Sequence, residues 1–279
     1  MTQTSAYPTR QGNYASINGL DLYYERSGQA QEGSVPVLLL HGGFGATGMF
    51  DSVLTPALSA GRDVITVDLQ GHGRTADIAR ALRYDTMADD IAALIRHLGL
   101  PRADVMGYSM GGGVALQTAV RHPDLVRKLV AVSAPFKRSG WYPESLAGMD
   151  RMGAHIAAHM LQTPMYQQYA QVAPHPDDWP QLWDKMGDLL RQEYDWSAQI
   201  AALSMPTMIV VGDADSLAPS HAAEFFGLLG GGQRDGGWDQ SGMTPHRLAI
   251  LPGTTHYDIF MSALLPAAVT PFLSSEVQP

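Results

Sequence analysis

Residues 103–123 read ADVMGYSMGGGVALQTAVRHP, and no other stretch constrains the fold of this chain as strongly. ADVMGYS brings a mostly apolar strand into a turn, and MGGGVALQTAVRHP reads as a helix closed by Pro123. At the junction Gly107, Ser109 and Gly111 form G-x-S-x-G. The missing side chains at 107 and 111 let the strand turn sharply into the helix, leaving the Ser109 hydroxyl exposed at the apex. The N–H of Met110 then points toward charge developing on a substrate oxygen. Gly112 and Gly113 let the helix pack close against the sheet, at some cost in helix propensity. Tyr108 packs beneath the turn.

Glycine-rich turns also cradle phosphates, and that use fails here. A nucleotide loop needs Lys and Ser or Thr after its glycines, and none follows Gly113. A dinucleotide fingerprint needs glycine where this chain has Ser109.

The strand–turn–helix rhythm extends on both sides. Short apolar runs at 18–28, 35–40, 63–68, 126–134, 206–215 and 247–256 read as strands. Met87, Ile91, Leu94 and Leu98, at spacings of three and four, mark a helix over 86–98. Further helices are expected at 219–229 and near 259–274. This alternation predicts an α/β fold with a mostly parallel sheet flanked by helices. Between 138 and 200 the strands vanish; about three helical patterns are broken by Pro164, Pro174, Pro176 and Pro180. The simplest division is one core, 1–137 with 201–279, carrying a helical insertion at 138–200 able to pack as a lid. The glycine-rich stretch 230–246 reads as a surface connection.

Composition narrows the function. With 45% hydrophobic and 16% charged residues, the chain is globular, and its net charge of −9 with scattered Lys and Arg excludes nucleic acid as partner. The absence of cysteine excludes disulfides, thiolate nucleophiles and cysteine-held metals. Residues 1–19 lack the apolar core of a secretory leader, and no apolar run approaches the roughly 18 residues of a membrane helix. The expectation is a cytoplasmic protein without a membrane partner, monomeric or homodimeric.

A serine nucleophile needs a base, and the base an orienting acid. His256 follows the run RLAILPG and Asp215 follows TMIVVG, so the same sheet edge collects both with Ser109. Asp213 competes with Asp215, and Asp258 is too near His256 in the chain to be its natural orienter. His246 precedes its strand and enters from the wrong end. His41 and His72, in glycine turns, suit structural hydrogen bonds. His155 and His159 share the spacing of a metal pair but lack an intervening Glu or a third ligand; no metal and no cofactor are expected.

HGGFG at 41–45, DLQGHGRT at 68–75, GYSMGG at 107–112, GDAD at 212–215 and GTTH at 253–256, in this order, resemble the α/β-hydrolase fold superfamily, in particular its serine esterase-like members with a helical cap. The resemblance covers all but the first dozen residues, though 138–200 resembles family caps only in type. It implies Ser109 as nucleophile, His256 as base and Asp215 as orienting acid. It further implies an oxyanion hole from the N–H groups of Gly43 and Met110, with Phe44 lining the pocket and its N–H as the fallback donor.

Related dehalogenases and epoxide hydrolases carry Asp at the nucleophile position, so Ser109 disfavours both. The expected activity is hydrolysis of small to medium apolar carboxylic esters through an acyl-enzyme, with a small ester-like molecule as the partner. Phe44, Trp141 and Tyr142 are the candidate pocket residues. Alternatives within the fold are a lactonase or carbon–carbon hydrolase, a cofactor-free haloperoxidase-like enzyme, a hydroxynitrile lyase, and a proline iminopeptidase using Asp177, Asp178 and Asp184. A small-ligand receptor is the alternative outside catalysis.

Overall fold

The computed structural model describes residues 10–276 apart from 30 and 32. Residues 1–9, part of the stretch read above for a leader, lie outside the described residues.

Eight strands form one sheet in the order β1-β2-β4-β3-β5-β6-β7-β8. They are β1 (Gln11–Ile17), β2 (Leu20–Ser27), β3 (Val37–Leu40), β4 (Val64–Val67), β5 (Ala103–Tyr108), β6 (Val126–Val132), β7 (Thr207–Ala214) and β8 (Arg247–Thr255). β2 pairs antiparallel with β1 and β4; every pair from β4 to β8 is parallel. β3, β4 and β5 are buried along their whole length, as strands covered on both faces must be.

Their alternate residues serve two cores. Leu38, Leu40, Val105, Leu129 and Ile209 pack on the side of α2 (Tyr84–His97), α3 (Met110–Arg121) and α9 (Pro219–Leu228). Val37, Leu39, Met106, Val130 and Met208 pack on the opposite side, against α1 (Leu54–Ser59) and α10 (Leu264–Ser274). The two-residue period of the strands sorts the faces, and the parallel crossovers supply a helix for each.

Between β6 and β7 lie α4 (Pro143–Asp150), α5 (Ala154–Ala157), α6 (Pro164–Val172), α7 (Trp179–Leu190) and α8 (Ser197–Ala201). Five helices thus replace the three expected. Pro164 and Pro180 each stand in the first turn of a helix, where a missing N–H costs nothing, so they start helices as much as they end them. Lys185 fastens α7 to the segment after β4: its Nζ donates to Asp77 Oδ2 at 2.6 Å, Ile78 O at 2.7 Å and Arg80 O at 2.8 Å.

The stretch 230–246 joins α9 to the amino end of β8, largely exposed and with Trp238 fully in solvent. β1 and α1 were not anticipated. Among the described residues no helix is long and apolar enough to cross a membrane.

Candidate active site

The carboxyl ends of five adjacent strands, β3, β5, β6, β7 and β8, meet at one rim. Ser109 follows β5 directly, Asp215 follows β7 and His256 follows β8. The turn at Ser109 depends on its glycines. A Cβ at Gly107 would sit 2.0 Å from Gly111 O, and one at Gly111 would sit 2.3 Å from Leu40 O. Ser109 itself is held at φ +54°, with its N–H donating to Val132 O at 2.9 Å. Gly112 approaches Ala134 after β6, whereas Gly113 meets the Tyr84 ring. The second of these glycines therefore admits α2, not the sheet as expected from sequence.

His256 Nε2 lies 3.1 Å from Ser109 Oγ, and its Nδ1 lies 2.9 Å from Asp215 Oδ1. A carboxylate accepts, so Nδ1 carries the proton and Nε2 faces the serine as an acceptor. Asp215 Oδ2 accepts from Ser133 Oγ at 2.5 Å and from Gly212 N at 3.2 Å. Burial pushes this carboxyl up, but the hydrogen bond and charge of His256, with the donors Ser133 and Gly212, outweigh it and hold Asp215 below its usual value.

The rival groups are engaged elsewhere. Asp213 Oδ1 accepts from Gly253 N at 2.8 Å, and Asp258 Oδ1 accepts from Thr255 N at 2.7 Å. His246 Nδ1 accepts from Thr207 N at 3.2 Å, at the amino end of β7. His41 donates from Nδ1 to Gly42 O at 2.7 Å and accepts at Nε2 from Leu69 N at 3.0 Å. His72 Nδ1 donates to Gln70 O at 2.8 Å. Asp184 accepts from Ala154 N at 2.6 Å. Among the described residues no group of three or more His, Asp or Glu is placed to hold a metal ion.

Met110 follows Ser109 in the chain, and the HGGFG turn meets the serine at Gly42, the neighbour of Gly43. Met110 is the first residue of α3, where an N–H has no acceptor within the helix. The HGGFG turn closes with Gly45 N donating to Gly42 O at 3.0 Å, and Phe44 takes φ +59°. A Cβ at Gly42 would lie 3.3 Å from Ser109 Cβ, and one at Gly43 would lie 2.6 Å from Met186 Cε on α7. The Phe44 ring packs on Trp183 and Trp179 with centroids 4.4 and 5.5 Å apart. Trp141 is buried, its ring centroid 5.3 Å from that of His256. Tyr142 instead lies at the surface, its N–H donating to Ser216 O at 3.1 Å.

Two contacts have no signal in the sequence. Ser133 is one of several serines after an apolar run, and Tyr108 Oη donates to the carbonyl of His256, 148 positions away, at 2.5 Å.

A profile of the alpha/beta hydrolase fold matches residues 35–154. The pimeloyl-[acyl-carrier protein] methyl ester esterase of Neisseria meningitidis is 32% identical over 209 residues, covering 68% of this chain and 78% of that one. This chain belongs to the α/β-hydrolase fold family. The sn-1-specific diacylglycerol lipase ABHD11 of Danio rerio is 39% identical over 100 residues, 36% of this chain, and the match spans only 31% of that relative. The crystal structure of E-2-(acetamidomethylene)succinate hydrolase superposes with a TM-score of 0.72 at 20% identity, covering 96% of this α/β hydrolase and all of that chain (100%), a likeness of fold.

Proposed function

We propose that this α/β hydrolase is a serine carboxylesterase acting on small to medium apolar esters. The observation that carries the reading is the continuous contact from Ser109 Oγ through His256 to Asp215, at 3.1 and 2.9 Å. Nδ1–H···Asp215 fixes the imidazole orientation and leaves Nε2 free to take the serine proton. Ser109 Oγ attacks the ester carbonyl, and the N–H groups of Gly43 and Met110 receive the oxyanion. Each such donor is worth about 3–4 kcal/mol in the transition state. His256 returns the proton to the leaving alcohol; water, activated by the same Nε2, then releases the acid and restores Ser109.

In this reading 138–200 is a cap on a core of 1–137 and 201–279. The apolar side chains this reading assigns to the substrate are Trp141, packed on His256, Phe44, packed on Trp183 of α7, and Met186 of α7, close to Gly43; Met adapts to irregular acyl shapes. The names of the esterase and lipase relatives support an ester as substrate. A cytoplasmic setting fits a chain without cysteine.

The test is turnover of p-nitrophenyl acetate, butyrate and hexanoate by wild type and Ser109→Ala. The proposal expects hydrolysis by wild type and a loss of at least about 10³-fold in the variant; equal rates would overturn it.

A further inference from the structure

Ser133 stands directly after β6, in the gap between the strand that presents Ser109 and the strand that presents Asp215. It is fully buried, and its backbone is held at φ +51° by its N–H bond to Val210 O at 2.8 Å. That region of backbone space suits glycine and penalises a side chain. Among the described residues five non-glycine residues have positive φ, and Phe44, Ser109 and Ser133 all stand at this rim. Strain of this kind persists where the surroundings over-determine the conformation, and it gathers at functional sites. A glycine at 133 would fill the place without strain and without a buried hydroxyl to satisfy. The hydroxyl, therefore, is what the position retains.

Its use is visible in the contacts of Asp215. Oδ1 faces His256 Nδ1 at 2.9 Å and Leu217 N at 3.4 Å, while Oδ2 accepts from Ser133 Oγ at 2.5 Å and Gly212 N at 3.2 Å. Ser133 makes the shortest of the four contacts and, among the described residues, is the only side chain on Oδ2. Without it Oδ2 keeps the longer Gly212 N contact, and the carboxylate is held less firmly in the plane that aims Oδ1 at His256.

We propose that Ser133 is a positioning residue: its hydroxyl locks the Asp215 carboxylate so that His256 keeps the Nδ1–H tautomer and Nε2 stays aimed at Ser109. This rests on the triad reading above, and it extends the chain of contacts to a fourth residue from a fourth strand.

The experiment compares wild type, Ser133→Gly, Ser133→Ala and Ser109→Ala on p-nitrophenyl butyrate, with full pH profiles and thermal midpoints. Ser133→Gly removes the hydroxyl and relieves the backbone, so it is expected to be at least as stable as Ser133→Ala. Both Ser133 variants should lose about tenfold in kcat, with KM within about twofold. With one donor gone, the Asp215 carboxylate turns more negative charge toward the imidazole and favours its protonated form. The acidic limb of kcat/KM should therefore move to higher pH in both variants, a shift that a merely structural serine would not produce. Wild-type kcat and an unmoved pH profile in Ser133→Gly overturn the positioning role. So does a Ser133→Gly chain that fails to fold, because the hydroxyl would then serve the fold. Turnover that survives Ser109→Ala overturns the triad reading itself, whatever Ser133 does.

Discussion

Tyr108 and His256 are joined by a buried hydrogen bond from the phenol hydroxyl to the main-chain carbonyl, 2.5 Å long. The residue before Ser109 thus holds the loop that carries His256, and the tyrosine ring also packs at 5.3 Å from the imidazole. Burial pushes the Tyr108 hydroxyl well above its usual value, so it remains a donor at every working pH. Tyr108→Phe keeps the ring and strands a buried carbonyl. Urea denaturation should report a loss of about 1–3 kcal/mol, and ester kcat should fall about tenfold. Unchanged kcat would mean that the loop is held by other contacts.

Asp213 and Asp215 separate by geometry, since only Asp215 reaches His256. Asp215→Asn should lower kcat by about 10³–10⁴-fold, because an amide can present its N–H₂ to Nδ1 and favour the wrong tautomer. Asp213→Asn should stay within a few fold. A reversed pattern in steady-state kinetics would assign the orienting acid to Asp213.

The glycines of the rim differ in what opposes a side chain. At Gly111 the new Cβ meets main-chain oxygens of Leu40 and His41 at 2.3 and 2.4 Å, which cannot move without shifting β3. At Gly43 it meets only the Met186 methyl, at 2.6 Å, the free end of a flexible side chain. Gly111→Ala should cost about 3 kcal/mol or more, and Gly43→Ala about 1 kcal/mol or less. Chemical denaturation of the two variants side by side checks the contrast.

Buried histidines make stability depend on pH. Burial lowers His41 to about 3, with neighbouring His72 adding to the shift, and burial lowers His72 to about 4. Both remain neutral in the folded chain, whereas an unfolded histidine takes up its proton near about 6.5. Their contribution is complete above the unfolded value and is lost as pH falls toward 4 and then 3, at up to about 1.4 kcal/mol per pH unit for each. Asp68, raised to about 6 by burial despite N–H bonds from Arg74 and Thr47, works in the opposite sense: its contribution is lost as pH rises. The readout is accordingly the stability difference between wild type and His72→Gln, which should shift against wild type between pH 6.5 and 4.5. Parallel curves would contradict the neutral, buried histidine.

The rim was legible in the sequence because its residues sit at the ends of apolar runs, and strand ends are what apolar periodicity marks best. Ser109, Asp215 and His256, which the fold brings within hydrogen-bond distance of one another, were read in that way, with family motifs choosing Asp215 over Asp213. The helical segment was less legible. Its boundaries depend on helix starts, and prolines such as Pro164 read equally well as breaks or as first-turn residues. β1 escaped because its polar alternation, QGNYASI, offers only a half-buried edge strand. Ser133 and the Tyr108 hydroxyl escaped for a different reason: each acts across strands far apart in the chain, and local pattern carries no information about such partners.

The central claim is that Ser109 Oγ is the nucleophile. Incubation with a fluorophosphonate ester, followed by mass spectrometry of the digested chain, tests it directly. The account predicts one phosphonyl group on Ser109, loss of esterase activity in step with its appearance, and no labelling in His256→Ala. Inactivation with the label on another residue, or full activity with Ser109 labelled, would contradict it.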